Sequence, residues 1–212
     1  MAGTYIDVTG SDAAGDCIDC GIGKYSAVVG SSSQHDCTQC VAGKYVEVTG
    51  SSAEVDCVLC GVGKYSTVVG SFAAGDCTDC VAGKHLSSEG NDAESDCVLC
   101  GVGKYSAVVG SGSEDDCTDC VAGKYLEVTG SDAETDCVLC GVGKYSTVVG
   151  SFAAGDCTEC VAGKFMEDEG SDAEVDCLSA VDVEAGEATP EVVEGRELHG
   201  TGSLPLAFGR GK

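Results

Sequence analysis

Cysteine recurs every twenty residues, at Cys17, Cys37, Cys57, Cys77, Cys97, Cys117, Cys137, Cys157 and Cys177, and each of the first eight opens a Cys-x-x-Cys. A fixed period of this length marks a repeat architecture, in which one unit cannot bury a core alone and takes most of its contacts from its neighbours. Chain length therefore does not count domains, although 212 residues would ordinarily suggest one or two. Large side chains are scarce: there is no Trp, and seven Tyr and four Phe stand against thirty-two Gly. With so little to pack, covalent cross-links must supply much of the stability, and seventeen cysteines are the candidates.

The unit can be read directly from Cys120 to Cys137, CVAGKYLEVTGSDAETDC, and from Cys140 to Cys157, CGVGKYSTVVGSFAAGDC. A Gly-Lys dipeptide (Gly23-Lys24 to Gly163-Lys164) follows the second Cys in all eight loops, and Tyr comes next in six, with His85 and Phe165 as the exceptions. Residues such as Tyr125-Leu126-Glu127-Val128-Thr129 are aromatic or β-branched with partial alternation, which predicts a short strand over 125–129. A Gly-Ser or Gly-Asn pair, as at Gly70-Ser71 or Gly90-Asn91, then predicts a tight turn with positive φ at the glycine. An Asp precedes the next Cys in all nine cases, from Asp16 to Asp176. Each unit is expected to be a small irregular β-hairpin with little helix.

Four arrangements of the cysteines are compatible with this spacing. The second Cys of one pair can bond the first of the next; each Cys-x-x-Cys can close on itself; alternate pairs can interlock; or zinc can sit between adjacent pairs. Residues three apart in an extended segment point to opposite faces, so that Cys117 and Cys120 would reach different modules, which favours the first arrangement. A loop of that size gains about 3 kcal/mol from its cross-link on the chain-entropy account, where a lone hairpin is marginal. Cys-x2-Cys, sixteen residues, Cys-x2-Cys also falls within zinc-ribbon spacing, so an intracellular zinc array stays open as an alternative. Against zinc stand the Asp beside the first Cys of every pair, which disfavours a thiolate there, and a uniform period with no break between sets of four. No βαβ pattern surrounds any pair, as a thioredoxin-like redox site would need.

The pattern Cys-x-x-Cys-x-x-Gly-x-Tyr, then Gly, then Cys-x-x-Cys, resembles the ephrin type A/B receptor-like cysteine-rich repeat, and more distantly the modules of tumour necrosis factor receptors and other growth-factor-receptor cysteine-rich regions. Cys60, Gly63, Tyr65, Gly70, Cys77 and Cys80 carry the resemblance in one loop, and their equivalents carry it in the others from Met1 to Cys177. Lys before the aromatic position, a near-absence of Pro and near-identical repeats depart from the usual pattern. The resemblance implies a small disulfide-rich fold, an elongated extracellular array of hairpin modules. Its implied bridges are Cys20-Cys37, Cys40-Cys57, Cys60-Cys77, Cys80-Cys97, Cys100-Cys117, Cys120-Cys137, Cys140-Cys157 and Cys160-Cys177, with Cys17 free.

Met1-Ala2-Gly3-Thr4-Tyr5 aligns with Val41-Ala42-Gly43-Lys44-Tyr45, so the first module, 1–17, is expected to be partial, with the partner of Cys17 upstream together with any signal peptide. Residues 1–177 form the repeat region. Beyond Cys177 the pattern stops: Ala180 stands where a Cys is due, and 178–212, with both prolines, reads either as an acidic, flexible non-repeat tail or as an artefactual end left by a shifted frame or splice boundary. No stretch is long and apolar enough for a transmembrane helix.

The net charge of −25 argues against nucleic acid and anionic membranes as partners. Its distribution is more informative. Loops 21–36, 61–76 and 141–156 are neutral, loops 41–56, 81–96, 121–136 and 161–176 carry −2, −3, −3 and −5, and loop 101–116 carries −2. The true period is therefore forty residues, and modules related by about a half turn would align the acidic loops in one stripe.

For metal, Asp132, Glu134 and Asp136 and their counterparts are weak candidates for diffuse divalent cation binding, since no EF-hand or calcium-solenoid pattern is present. The recurring Lys is expected to pair with a local carboxylate, and the Tyr row to pack between modules. Histidines occur only at His35, His85 and His199, in unrelated module positions, and no nucleophile elbow or phosphate loop appears; neither catalysis nor a cofactor or small-molecule substrate is expected. The chain reads as a non-catalytic extracellular structural or adhesive spacer. The competing reading is a receptor-ectodomain module that docks an extracellular protein or matrix on particular loops, where His85-Leu86 and Phe165-Met166 are the unusual candidates for exposed contacts.

Overall fold

The computed structural model describes residues 1–10 and 13–179. Among them, nine two-stranded antiparallel hairpins and nine 310 turns of three residues recur with the cysteine period, and no α-helix forms. The protein is a small disulfide-rich tandem hairpin array.

Seven of the nine hairpins join the Lys-led dipeptide after one Cys-x-x-Cys to the two residues inside the next; the first begins at Thr4–Tyr5 and the last ends at Leu178–Ser179. Lys24–Tyr25 pairs with Thr38–Gln39, with Tyr25 opposite Thr38. The Cys40 N–H donates to the Gly23 carbonyl at 2.9 Å, and the Cys20–Cys37 disulfide, with Cα atoms 5.7 Å apart, ties the same two limbs. The strand expected over 125–129 is shorter in the structure, where only Lys124–Tyr125 belongs to the hairpin. Its continuation is taken by the next module: the Leu126 N–H donates to the Ser151 carbonyl at 3.0 Å, and Tyr125 forms a parallel bridge with Ser151.

That bond is one of a recurring set. Between the module that begins at Cys20 and the one that begins at Cys40, Gly23 N–H donates to Val46 O (2.8 Å), Ser26 N–H to Ser51 O (3.0 Å) and Gly50 N–H to Cys20 O (2.8 Å). The parallel bridge repeats eight times along the chain, from Tyr5–Ser31 to Tyr145–Ser171. Neighbouring modules are thus joined by backbone, whose geometry is indifferent to the side chains that vary.

A module also touches the one after next. A Cβ built on Gly63 would fall onto the carbonyl oxygen of Gly110, and the same holds for Gly23 with Gly70, Gly43 with Gly90 and Gly103 with Gly150. Gly63 has a φ of +73°, so this close approach and the left-handed turn both exclude a side chain. Contacts at one and two modules, and the alternation they impose, sort the array into two columns. One holds the loops starting at 20, 60, 100 and 140; the other holds those starting at 40, 80, 120 and 160.

The interior differs between the columns. In the second, Leu126 is 2% exposed and packs on Cys120 and Cys137, with Tyr105 of the preceding module against the cluster; Val46 and Leu86 repeat this with Tyr25 and Tyr65. In the first, the same position is a serine. Ser106 is 1% exposed and lies 3.3 Å from the Ser111 hydroxyl, which donates to the Val108 carbonyl. Serine pairs 26/31, 66/71 and 146/151 do likewise. The forty-residue period is therefore written into packing as well as charge.

Candidate functional site

The cysteines form a serial ladder. Eight disulfides join residues seventeen apart, Cys20 to Cys37 through Cys160 to Cys177, with Cα separations of 5.7 to 5.8 Å. The second Cys of each pair is fully or almost fully buried in the first seven bridges, and the disulfides are the largest components of the small core. Cys17 is half-buried and free. With the other sulfurs oxidised in pairs, no tetrad of thiolates remains to hold zinc among the described residues.

The Asp before each first Cys has a structural use that the spacing alone does not reveal. Its carboxylate reaches back over the 310 turn: Asp76 Oδ2 accepts from Phe72 N–H (2.8 Å) and Ala73 N–H (3.0 Å), and Asp56 does the same with Ser52 and Ala53. The turn Ala74–Asp76 delivers Cys77 to Cys60, so the carboxylate satisfies amide donors at the start of a turn too short to satisfy its own. The available signal was the spacing itself, a small or hydroxyl residue three positions before an acid.

These bonds disperse the cation candidates. Asp136 Oδ2 accepts from Ala133 N–H at 3.2 Å, Glu134 pairs with Lys124 at 3.2 Å, and Asp132 is exposed beside them. Among the described residues no group of three or more His, Cys, Asp or Glu side chains is placed to hold a metal ion.

The lysines pair according to column. In the first column Lys64 and Lys104 meet their cross-strand partners Asp79 and Asp119, the latter at 2.7 Å, and Lys144 lies 3.5 Å from Glu159. In the second, Lys44, Lys84 and Lys124 stand opposite Leu59, Leu99 and Leu139 and turn instead to Glu54, Glu94 and Glu134 at 3.1 to 3.3 Å, while Lys164 stands opposite Ser179. Two further acids cross between columns: Glu47 and Glu127 accept from Ala74 N–H and Ala154 N–H, 3.0 and 3.1 Å away.

Of the residues expected to mark a binding face, Leu86 and Met166 are buried, at the interior position held elsewhere by Val46 and Leu126. Their variation is core substitution. Phe165 is exposed, while His85 is half-buried with its Nδ1 enclosed and without a hydrogen-bond partner. The acidic stretch 178–212, with Ala180, lies from residue 180 onward outside the described residues.

Residues 3–57 and 91–137 match the family described as tyrosine-protein kinase ephrin type A/B receptor-like. The repeats in these two segments are ephrin receptor-like cysteine-rich modules. Residues 58–90 and 138–177 carry the same cysteine, glycine and lysine positions and the same hairpins. No curated protein sequence matches the chain. The ephrin receptor-like module is a receptor cysteine-rich unit rather than a catalytic one, and with its eight disulfides it is of extracellular type. No helix among the described residues is long and apolar enough to cross a membrane.

Proposed function

We propose that the chain is an extracellular spacer rod, whose repetition sets length rather than multiplying a binding site. The observation that carries this reading is the constancy of the joint between modules. The Gly N–H to next-module carbonyl bond is 2.7 to 2.8 Å at Gly3, Gly23, Gly43, Gly63, Gly83, Gly103 and Gly123, and lengthens only to 3.1 Å at Gly143, although the variable residues differ. Each added unit repeats the last geometry, and its new surface is mostly a copy of surface already present. Disulfides in place of an apolar core suit this use, because every module is stapled individually and the array does not depend on long-range packing.

The test is to delete residues 61–100, which joins Cys60 to Gly101 and keeps every remaining seventeen-residue bridge, and separately to duplicate them. Small-angle scattering of the oxidised proteins should show the maximum dimension falling and rising by the same step. Non-reducing mass measurement should find the full chain sixteen hydrogens below its reduced mass, as eight bridges require. Unequal steps, or collapse of either variant, would overturn the spacer reading. A cell-surface ligand that needs one particular loop would instead favour the receptor-type docking module.

A further inference from the structure

We propose that two copies of this chain pair side by side, antiparallel, through the column of loops starting at 20, 60, 100 and 140. The inference rests on the arrangement of the modules and stands or falls independently of the spacer reading.

That column is where two chains of charge −25 can approach. With Asp79, Asp119 and Glu159 of its hairpins counted, its four modules carry 0, −1, −3 and −1, whereas those of the other column carry −2, −3, −3 and −5. At the corner of each loop in the less acidic column sits an exposed valine pair, Val68 and Val69 being 54% and 53% exposed, with equivalents at 28–29, 108–109 and 148–149. In the acidic column the same corners read Val48-Thr49, Ser88-Glu89, Val128-Thr129 and Asp168-Glu169. Three residues after the second valine of the pair stand Phe72 and Phe152, more than half exposed. Summed over the four loops, the valine pairs and the two phenylalanines expose roughly 700 Å² of apolar side chain, judged from their exposed fractions and ordinary side-chain areas. That sum is of the order of the 800 Å² or so that each partner buries in a stable complex.

The direction follows from what occupies the phenylalanine position in the four loops: Ser32, Phe72, Gly112 and Phe152. An antiparallel pair about a two-fold axis brings loop 61–76 opposite loop 101–116, and loop 21–36 opposite loop 141–156. Phe72 then faces Gly112 and Phe152 faces Ser32, so each large side chain meets a small one. Gly112 leaves no side chain of its own at this position, where Val62 of the same column packs so closely that its Cγ2 would lie 2.7 Å from a built Cβ. A parallel pair in register would set Phe against Phe, Gly against Gly, and the −2 loop 101–116 against itself. Antiparallel pairing opposes that loop to a neutral one.

Sedimentation velocity on the full oxidised chain tests this, with circular dichroism and non-reducing mass confirming that each variant retains its fold and bridges. The wild type is expected to dimerise at micromolar concentration, and more tightly as salt screens the outward acidic columns. Val69→Lys alone and Val109→Glu alone should each weaken the dimer at least tenfold, while their equimolar mixture restores it as a heterodimer, because 69 faces 109. A wild type that stays monomeric at 100 µM overturns the proposal. So does restoration by mixing Val69→Lys with Val69→Glu instead, which would mean parallel pairing, or a dimer that ignores these changes and is broken by Glu127→Lys in the other column.

Discussion

The contact between a module and the one after next can be weighed with three glycine-to-alanine substitutions. Gly61 has nothing within 4 Å of a built Cβ and no positive φ, so Gly61→Ala should be neutral or stabilise by about 0.4–1 kcal/mol through the unfolded chain. Gly30 also has open space but a φ of +77°, so Gly30→Ala should cost about 1–2 kcal/mol, the strain of the left-handed region alone. Gly63 combines a φ of +73° with a Cβ that would fall on the Gly110 carbonyl, a backbone atom with no rotamer to yield. Relieving that overlap must push the two stacked modules apart at roughly 1–3 kcal/mol more, as overpacking does elsewhere. Guanidinium titration with disulfides intact, read by native-state hydrogen exchange, would follow the amides of Gly63 and Gly110, which donate to Leu86 and Cys80. Gly63→Ala should lower protection in loops 61–76 and 101–116 together. If it costs no more than Gly30→Ala, or if protection falls in loop 61–76 alone, the two-column stacking is wrong.

Asp76→Ala removes the acceptor for two amides and should destabilise loop 61–76 by about 1–2 kcal/mol, with Asp76→Asn recovering part of it; limited proteolysis within residues 72–76 gives the readout. Leu126→Ala, which empties the space against the Cys120–Cys137 bridge, should cost about 2–3 kcal/mol, whereas Ser106→Ala should cost less than about 1 because Ser111 keeps its bond to Val108; thermal unfolding distinguishes them. Lys64→Met breaks a pair in which both side chains are about 40% exposed, so the change in stability should stay under about 1 kcal/mol, and molar salt should not unfold the array.

The module, its hairpin character and its period were legible because each rests on residues that recur: two cysteines, two turn glycines and a lysine-aromatic pair. What the sequence did not disclose depends on contacts between modules. The residues at 125–129 are largely of β-forming type, yet only Tyr125 pairs within the hairpin, since the Leu126 N–H finds its acceptor in Ser151 of the next module. Leu86 and Met166 looked like deviations to be explained by binding because the chain text does not show which way position 86 points. The charge alternation was readable by counting, but its meaning required the approach of Gly63 to Gly110 that places like modules together. The Asp before each cysteine was visible in all nine repeats, and its role needed the geometry of the turn it caps.

Two periods therefore operate on one chain, and they can be separated. Deleting residues 61–80 joins Cys60 to Val81 and preserves the seventeen-residue bridge spacing, now between Cys60 and Cys97, together with the backbone joint between neighbours. It breaks the forty-residue period, however, because two acidic modules become consecutive. One column then holds loops 41–56, 101–116 and 141–156, and the other begins with the neutral loop 21–36 and continues through the acidic loops 81–96, 121–136 and 161–176. Since the hydrogen bonds that join modules come from backbone, and Tyr45 can take the place of Tyr65 against the Leu86 cluster, the variant should fold with its seven remaining disulfides. Its length should fall by half the step seen on deleting 61–100. Its self-association should weaken at least about tenfold, or 1.4 kcal/mol, because no column of the less acidic modules survives whole. The deletion of 61–100 removes one module from each column and leaves both uniform, so a shorter column of the less acidic modules remains and the pairing should be reduced rather than abolished. If the twenty-residue deletion fails to fold while the forty-residue deletion folds, the difference between columns lies in the packing of buried serine against buried leucine. If both fold and associate alike, the less acidic column is not what brings two chains together.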